Sequence, residues 1–231
     1  MNLQRALECA RGSAARRWAW NLWTIVCTSM MLFGCASPAY RAHPEFRTKA
    51  GHLDLGGLMP CDMKFYEVTG YGVVESREDW SAIGRKNLVQ ALIMGFEKRG
   101  YHIKPVTGDE GTEAEIEEIQ ALYRSVNKSI RLHAYGPQLF PEKKKNFHYA
   151  LGPIDGLLRK LGADSLIFVH AMDNVLPGGE DGFVSVAVAD ASGNILWYCV
   201  SGFRGENGLR DPKHAAEVME NIIRFYPEVN G

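Results

Sequence analysis

The side chains here that could do chemistry are five cysteines, seven scattered histidines and two groups of acids. Cys35 directly follows an apolar run, which would carry its thiol to a membrane surface. Cys9 and Cys27 lie before it, and Cys61 and Cys199 remain after it. An even remainder in an oxidising compartment permits a Cys61–Cys199 disulfide. The alternative is that Cys199, beside Trp197, is a small buried hydrophobe. No CxxC is present, so neither dithiol redox chemistry nor a structural zinc site is indicated. The chain also has no phosphate loop, no GxSxG elbow and no HExxH. Gly70-Tyr71-Gly72 lacks the third glycine of a dinucleotide fingerprint and reads as a strand kink. His170 and Asp173 stand three apart on a strand and so face opposite sides. Asp173-Asn174 with Glu180-Asp181-Gly182 reads as an acidic hairpin tip. Glu113, Glu115, Glu117 and Glu118 read as a solvated helix start. No metal site or cofactor is expected.

Arg16-Arg17 and the 16-residue apolar run Trp18–Phe33 have the form of an export signal, too short for an ordinary membrane span. Leu32-Phe33-Gly34-Cys35 behind them resembles the lipobox of bacterial lipoproteins. In that pattern the cysteine thiol accepts diacylglycerol, and the small residue before it admits the peptidase. The resemblance implies that residues 1–34 are removed and that Cys35 becomes an acylated first residue, anchoring the chain to a membrane. The competing readings are an uncleaved amino-terminal anchor and an ordinary secretory signal in which Cys35 is incidental. Ala36 stands where an inner-membrane retention aspartate would sit, which by the same analogy implies the periplasmic face of the outer membrane.

Residues 1–34 hold four of the 26 basic side chains and one of the 27 acids, so the remainder is mildly acidic. Without a basic stripe, nucleic acid is not an expected partner. Prolines and glycines between 35 and 60 read as a flexible lipidated tether, leaving 61–231 as the domain. There, a strand over Lys64–Val74 precedes a helix from Ser76-Arg77-Glu78-Asp79 to Arg99 that stops at Gly100. Its apolar face is Trp80, Ile83, Leu88, Leu92 and Phe96. A strand follows over Tyr101–Val106. Thr112-Glu113-Ala114-Glu115 is a capping-box signature for a second helix, and Pro153 to Gly162 encloses a third. Ser165–Met172 reads as a central strand, and Phe183–Ala189 and Ile195–Phe203 as a hairpin about Asp190–Asn194. Asp211-Pro212 starts a last helix. The expected fold is α/β: a single mixed sheet with helices packed on it.

The connection from Leu132 to Gly152 is long for a compact domain and rich in rings and lysines. Tyr135, Phe140, Phe147 and Tyr149 are therefore candidate contacts for a protein partner, or else a lid packed on the sheet.

The phrase Gly162-Ala163-Asp164, the apolar strand after it, and the hairpin ending Gly193-Asn194-Ile195-Leu196-Trp197 resemble a group of envelope domains. These include the TolB amino-terminal domain, CsgG and LpoB. The chain is also similar to uncharacterised bacterial lipoproteins. The resemblance implies a non-catalytic accessory or scaffold that binds envelope proteins, with no catalytic residues to carry over. An envelope-polymer hydrolase and a small-ligand-binding lipoprotein are the alternatives. Nothing in the sequence fixes an oligomeric state.

Overall fold

The computed structural model describes residues 39–50, 53–109, 111–136, 142, 146–205 and 208–228. The chain divides into Met1–Ala36 and Ser37–Gly231, and every described element falls in the second unit.

The frame of the sheet is an antiparallel meander of β6 (Ser165–Leu176), β7 (Gly179–Ala189) and β8 (Ile195–Gly205). Asp190 shapes the β7–β8 turn by accepting from the amides of Ser192 (3.1 Å) and Asn194 (3.0 Å). Gly193 supplies the positive φ of 78° that the turn needs.

The other edge of β6 carries two strands in succession, both parallel to it. β2 (Leu55–Leu58) pairs with its first part and β3 (Asp62–Val68) with its second. Gly56 faces Ser165 but Asp62 faces His170, so the register slips by one residue across Met59–Cys61. This is a bulge in what is otherwise one long edge. β5 (His102–Pro105) runs parallel on the far side of β2, and β4 (Val74–Ser76) pairs antiparallel with β3. β1 (Ala39–Ala42) closes the opposite side against β8.

Helices cover both faces. Ile167, Val169 and Ala171 point to one face of β6, where α2 (Glu78–Glu97) brings Leu88, Leu92 and Phe96. On the same face α5 (Pro212–Ile223) brings Ala215, Val218, Met219 and Ile222. Leu166 and Phe168 point the other way. There they meet Ile116, Ile119 and Tyr123 of α3 (Glu113–Ile130), and Leu157 and Leu158 of α4 (Asp155–Leu161). The short α1 (Phe46–Ala50) seals the first layer with Phe46 and Ala50. The expected α/β class and single mixed sheet are the ones observed.

Local chemistry explains where the elements stop. Gly162 ends α4 in the left-handed conformation (φ 62°), and Asp211 caps α5 by accepting from the Lys213 amide at 3.0 Å, with Pro212 at the first turn.

Four expectations are corrected. The segment 35–60 is not a free tether over its whole length, because β1, α1 and β2 are built from it and β2 lies inside the sheet. Lys64–Val74 is two strands about a turn, where Gly72 has a φ of 79°. The capping box does not form, because the Thr112 hydroxyl donates to Asp109 Oδ1 (2.6 Å) and accepts from the Asp109 amide. Ile83 of α2 is exposed, and Ser81 takes the buried side instead, accepting from the Phe65 amide at 2.9 Å.

The placement of β2 generates a test. Leu58→Ala should cost about 2–5 kcal/mol of unfolding free energy in urea titration, as for a core leucine. A tether residue would cost almost nothing.

Candidate functional site

The described rings of this segment turn inward. Tyr135 lies in a π-helical turn, Arg131–Tyr135, that extends α3. The chain then returns, the Tyr149 carbonyl accepting from the Ile195 amide and the Leu151 amide donating to the Gly193 carbonyl. Phe147 and Tyr149 are only 3% and 9% exposed. Tyr135 and Phe147 both converge on the buried ring of Tyr198, at centroid distances of 5.7 Å and 6.3 Å. Phe147 and Tyr149 are thus a lid on the core and not surface anchors. Phe140 and Cys35 lie outside the described residues.

The disulfide expectation is also corrected, since Cys61 and Cys199 are both buried free thiols. Asp62 faces His170, His170 faces Ser185 and Ser185 faces Val200. Cys61 and Cys199 each precede an end of that row, so three strand spacings, about 14 Å, separate them. A disulfide requires Cα atoms within about 7 Å. Burial pushes both thiols up to about 12, which leaves little reactive thiolate.

Sheet formation assembles two polar groups that the linear sequence keeps apart. In the first, His170 Nδ1 lies 3.1 Å from Asp62 Oδ2. The hydrogen bond from His170 holds the Asp62 carboxyl below the usual carboxylate range. The His170 ring packs near Phe183, over which the Arg131 guanidinium sits at 3.6 Å. The register puts Ser185 next in line, giving a hydrolase-like set of residue types. The geometry does not follow. Ser185 is buried, and its Oγ lies near the His170 carbonyl (3.2 Å) and Asn127 Oδ1 (3.3 Å). That asparagine also accepts from the Tyr198 hydroxyl at 2.8 Å. The serine belongs to a polar network under α3 and is not a nucleophile at the imidazole.

In the second group Asp173 and Glu180, expected at an acidic tip, are instead buried against the loop before α5. Arg210 forms an ion pair with Glu180, and the Leu209 amide donates to Asp173 Oδ2 at 3.0 Å. The Arg210 guanidinium stacks 4.2 Å from the Trp80 ring. A Cβ at Gly208 would meet the Glu180 carboxylate, so a larger residue there would have to push that carboxylate out of its place. The cluster latches the loop to the sheet. Burial is the main cause that raises the Asp173 carboxyl to about 6. Elsewhere, His43 Nδ1 accepts from the Glu45 amide, so its Nε2 donates to His148 Nδ1 at 2.9 Å. Among the described residues no three His, Cys, Asp or Glu side chains are grouped to hold a metal ion.

The exposed apolar feature that sequence reading passed over is the β3–β4 turn. Tyr71 is 98% exposed, Val73 53% and Val74 60%. The turn is nonetheless well tied. Thr69 and Val73 exchange backbone and side-chain hydrogen bonds, and the Gly72 amide donates to the Thr69 carbonyl at 2.9 Å. Among the described residues β4 pairs only with β3, so its outer edge is open. The signal was present in Thr69-Gly70-Tyr71-Gly72, which is turn chemistry.

No protein-family model matches this chain, and no curated protein matches it by sequence. Its fold is similar to that of the PelC dodecamer from Paraburkholderia phytofirmans, with TM-score 0.40 and 11% identity over 80% of this chain and 93% of that one. It is also similar to lipoprotein GNA1162 from Neisseria meningitidis, at 0.32 and 8%, over 66% and 81% of the two chains. The LpoB C-terminal domain from Salmonella enterica scores 0.28 with 13% identity, over 71% and 96%. At these values the likeness concerns the path of the chain alone.

The Asp173 latch predicts an unusual pH response. Its carboxyl titrates near 6 in the fold and at about 3.9 in the unfolded chain. Between these values the native state keeps a proton that the unfolded chain has lost. Its contribution to stability therefore falls as pH rises through that window and is flat above it. Asp173→Asn cannot ionise, so its melting temperature should gain on the wild type from pH 4 to 6. The gap should level off at roughly 3 °C or more. A gap constant across that range in calorimetry would show that this carboxyl is not the titrating group.

Proposed function

We propose that this chain is a lipid-anchored cell-envelope lipoprotein acting as a non-catalytic accessory that receives a protein partner at the β3–β4 hairpin. The anchor is Cys35, acylated after removal of residues 1–34, and Ala36 favours the outer membrane. The observation that carries the partner reading is the hairpin itself. It holds a tyrosine and two valines in solvent on a tied turn beside an open strand edge. Exposed aromatics anchor interfaces, and an open edge accepts an added strand. The envelope-polymer hydrolase reading would have to use Asp62–His170. The hydroxyl set beside that pair is buried and committed to Asn127, which favours the accessory reading.

Replacing Cys35 by Ser should abolish palmitate incorporation and leave the precursor uncleaved, and label persisting at the wild-type level would refute the anchor. For the hairpin, a photocrosslinking residue replacing Tyr71 should yield one discrete adduct in living cells, whereas the same probe at exposed Leu122 should not. Adding Val74→Asp should remove most of that adduct while shifting stability by about 0.5 kcal/mol or less, as at other exposed positions. Equal adducts at both probes would argue against a hairpin-specific partner.

A further inference from the structure

At the opposite side of the sheet from the hairpin, β1, α1 and the stretch after α5 enclose a groove of about 960 Å³. Its walls include Tyr40, Phe225, Arg47, Arg99 and Arg224. Tyr40 and Phe225 stack with centroids 5.5 Å apart, and the Arg224 guanidinium lies 4.8 Å from the Phe225 ring. Tyr40 is 47% exposed. Arg99 is steadied by the Tyr226 carbonyl at 2.7 Å and faces Glu228 at 3.5 Å. Arg47 and Arg224 are exposed and have no ion pair among the described residues. A neighbouring groove shares Arg99, Arg224 and Glu228 and adds Lys98 and Glu220. Four cations thus gather against two acids, although the chain beyond residue 34 is net acidic. Rings beside arginines suit a boundary between apolar chains and phosphates, where guanidinium binds phosphate and the ring bridges to the acyl region.

The chain leading to the groove points to its occupant. β1 is fixed by four cross-strand pairs to β8, from Ala39↔Val200 to Ala42↔Trp197. Only Ala36, Ser37 and Pro38 separate Cys35 from that fixed strand. Four residue steps span at most about 14 Å fully extended, where a tether to residue 60 would have allowed roughly 80 Å. A lipid on Cys35 therefore keeps the β1 edge within about 14 Å of the headgroups, less than two screening lengths of about 8 Å from an anionic surface. We infer that this groove is a membrane-docking surface that takes the phosphate headgroups of anionic phospholipids. The inference rests on the lipid-anchor reading and adds an orientation to it. β1 and β4 lie at opposite ends of the run β1-β8-β7-β6-β3-β4, so docking at one edge presents the hairpin about 24 Å farther out, five strand spacings away.

The test uses a chain beginning at Ser37. It carries every described strand and helix and both apolar clusters, and so holds a complete core without the lipid. Sedimentation with phosphatidylglycerol–phosphatidylethanolamine vesicles should show binding that weakens with salt, and phosphatidylcholine vesicles should bind far less. Each basic side chain near such a surface contributes about fivefold in affinity. Arg47→Glu with Arg224→Glu should therefore reduce binding at least tenfold, and Tyr71→Ala should not change it. If the double reversal disturbs folding by circular dichroism, Arg47→Gln with Arg224→Gln makes the same comparison. Equal binding to neutral vesicles, or no loss in the arginine variants, overturns the proposal. So does displacement by inorganic phosphate beyond its ionic-strength effect, which would mark a free-anion site. A dimer in sedimentation velocity that the arginine variants abolish would mark a second copy as the occupant and likewise overturns it. Because no lipid is attached, failure here leaves palmitate labelling of Cys35 to judge the anchor separately.

Discussion

The first half of β6 is buried on both faces, the strand is hydrogen-bonded along both edges, and the remaining elements are arranged around it. Its alternating residues feed two apolar clusters, Leu166 and Phe168 toward α3 and α4, Ile167, Val169 and Ala171 toward α2 and α5. A strand in this position can be almost wholly apolar because neither face meets water. Its backbone groups must then find partners on neighbouring strands. β7 supplies them along one edge, and β2 and β3 share the other. The bulge at Met59–Cys61 lets two short strands serve that edge, and the Met59 amide still reaches the Ile167 carbonyl at 2.9 Å.

Polar groups brought in with this arrangement are resolved in pairs. Asp62 meets His170, Asn127 holds Ser185 and Tyr198, and Glu180 meets Arg210. Each spans elements distant in sequence: the first joins β3 to β6, and the other two fix how α3 and the loop before α5 seat on the sheet. The Arg210 pairing, stacked on Trp80, joins the loop before α5 to the first turn of α2. Their part is to specify packing, although in the Arg210 cluster Glu180 Oε2 and Asp173 Oδ1 are buried without a hydrogen-bond partner among the described residues.

The two surfaces proposed for outside contacts differ in kind because they lie on different edges. The β1 edge meets α1 and the stretch after α5, which bring arginines and rings together. The β4 edge is three exposed residues, and among the described residues β4 pairs only with β3. In the function proposed above, one side would face the bilayer and the other a partner.

The central strand, the β7–β8 hairpin and the helices over 78–97, 113–130, 155–161 and 212–223 were legible in the sequence. Their periodicity and end signals, Gly162 and Asp211-Pro212 among them, act within a few residues. β2 was not legible. Gly56 and Gly57 look like punctuation, yet they lie within the strand, with Ile167 and Leu166 packed closely over them. The rings of Phe147 and Tyr149 could be read as surface or lid, because composition does not say which face a long connection turns inward. The Cys61–Cys199 pairing and the Asp62–His170 contact depended wholly on register. Two intervening strands keep the cysteines apart, while direct pairing of β3 with β6 brings together an acid and a histidine 108 residues apart. By itself the sequence determined what local forces decide: the helices and strands with strong period, the mildly acidic body and the Leu32–Cys35 pattern. Only the tertiary structure decided which side chains meet, because strand order and register are set by the shared burial of residues that no local signal connects.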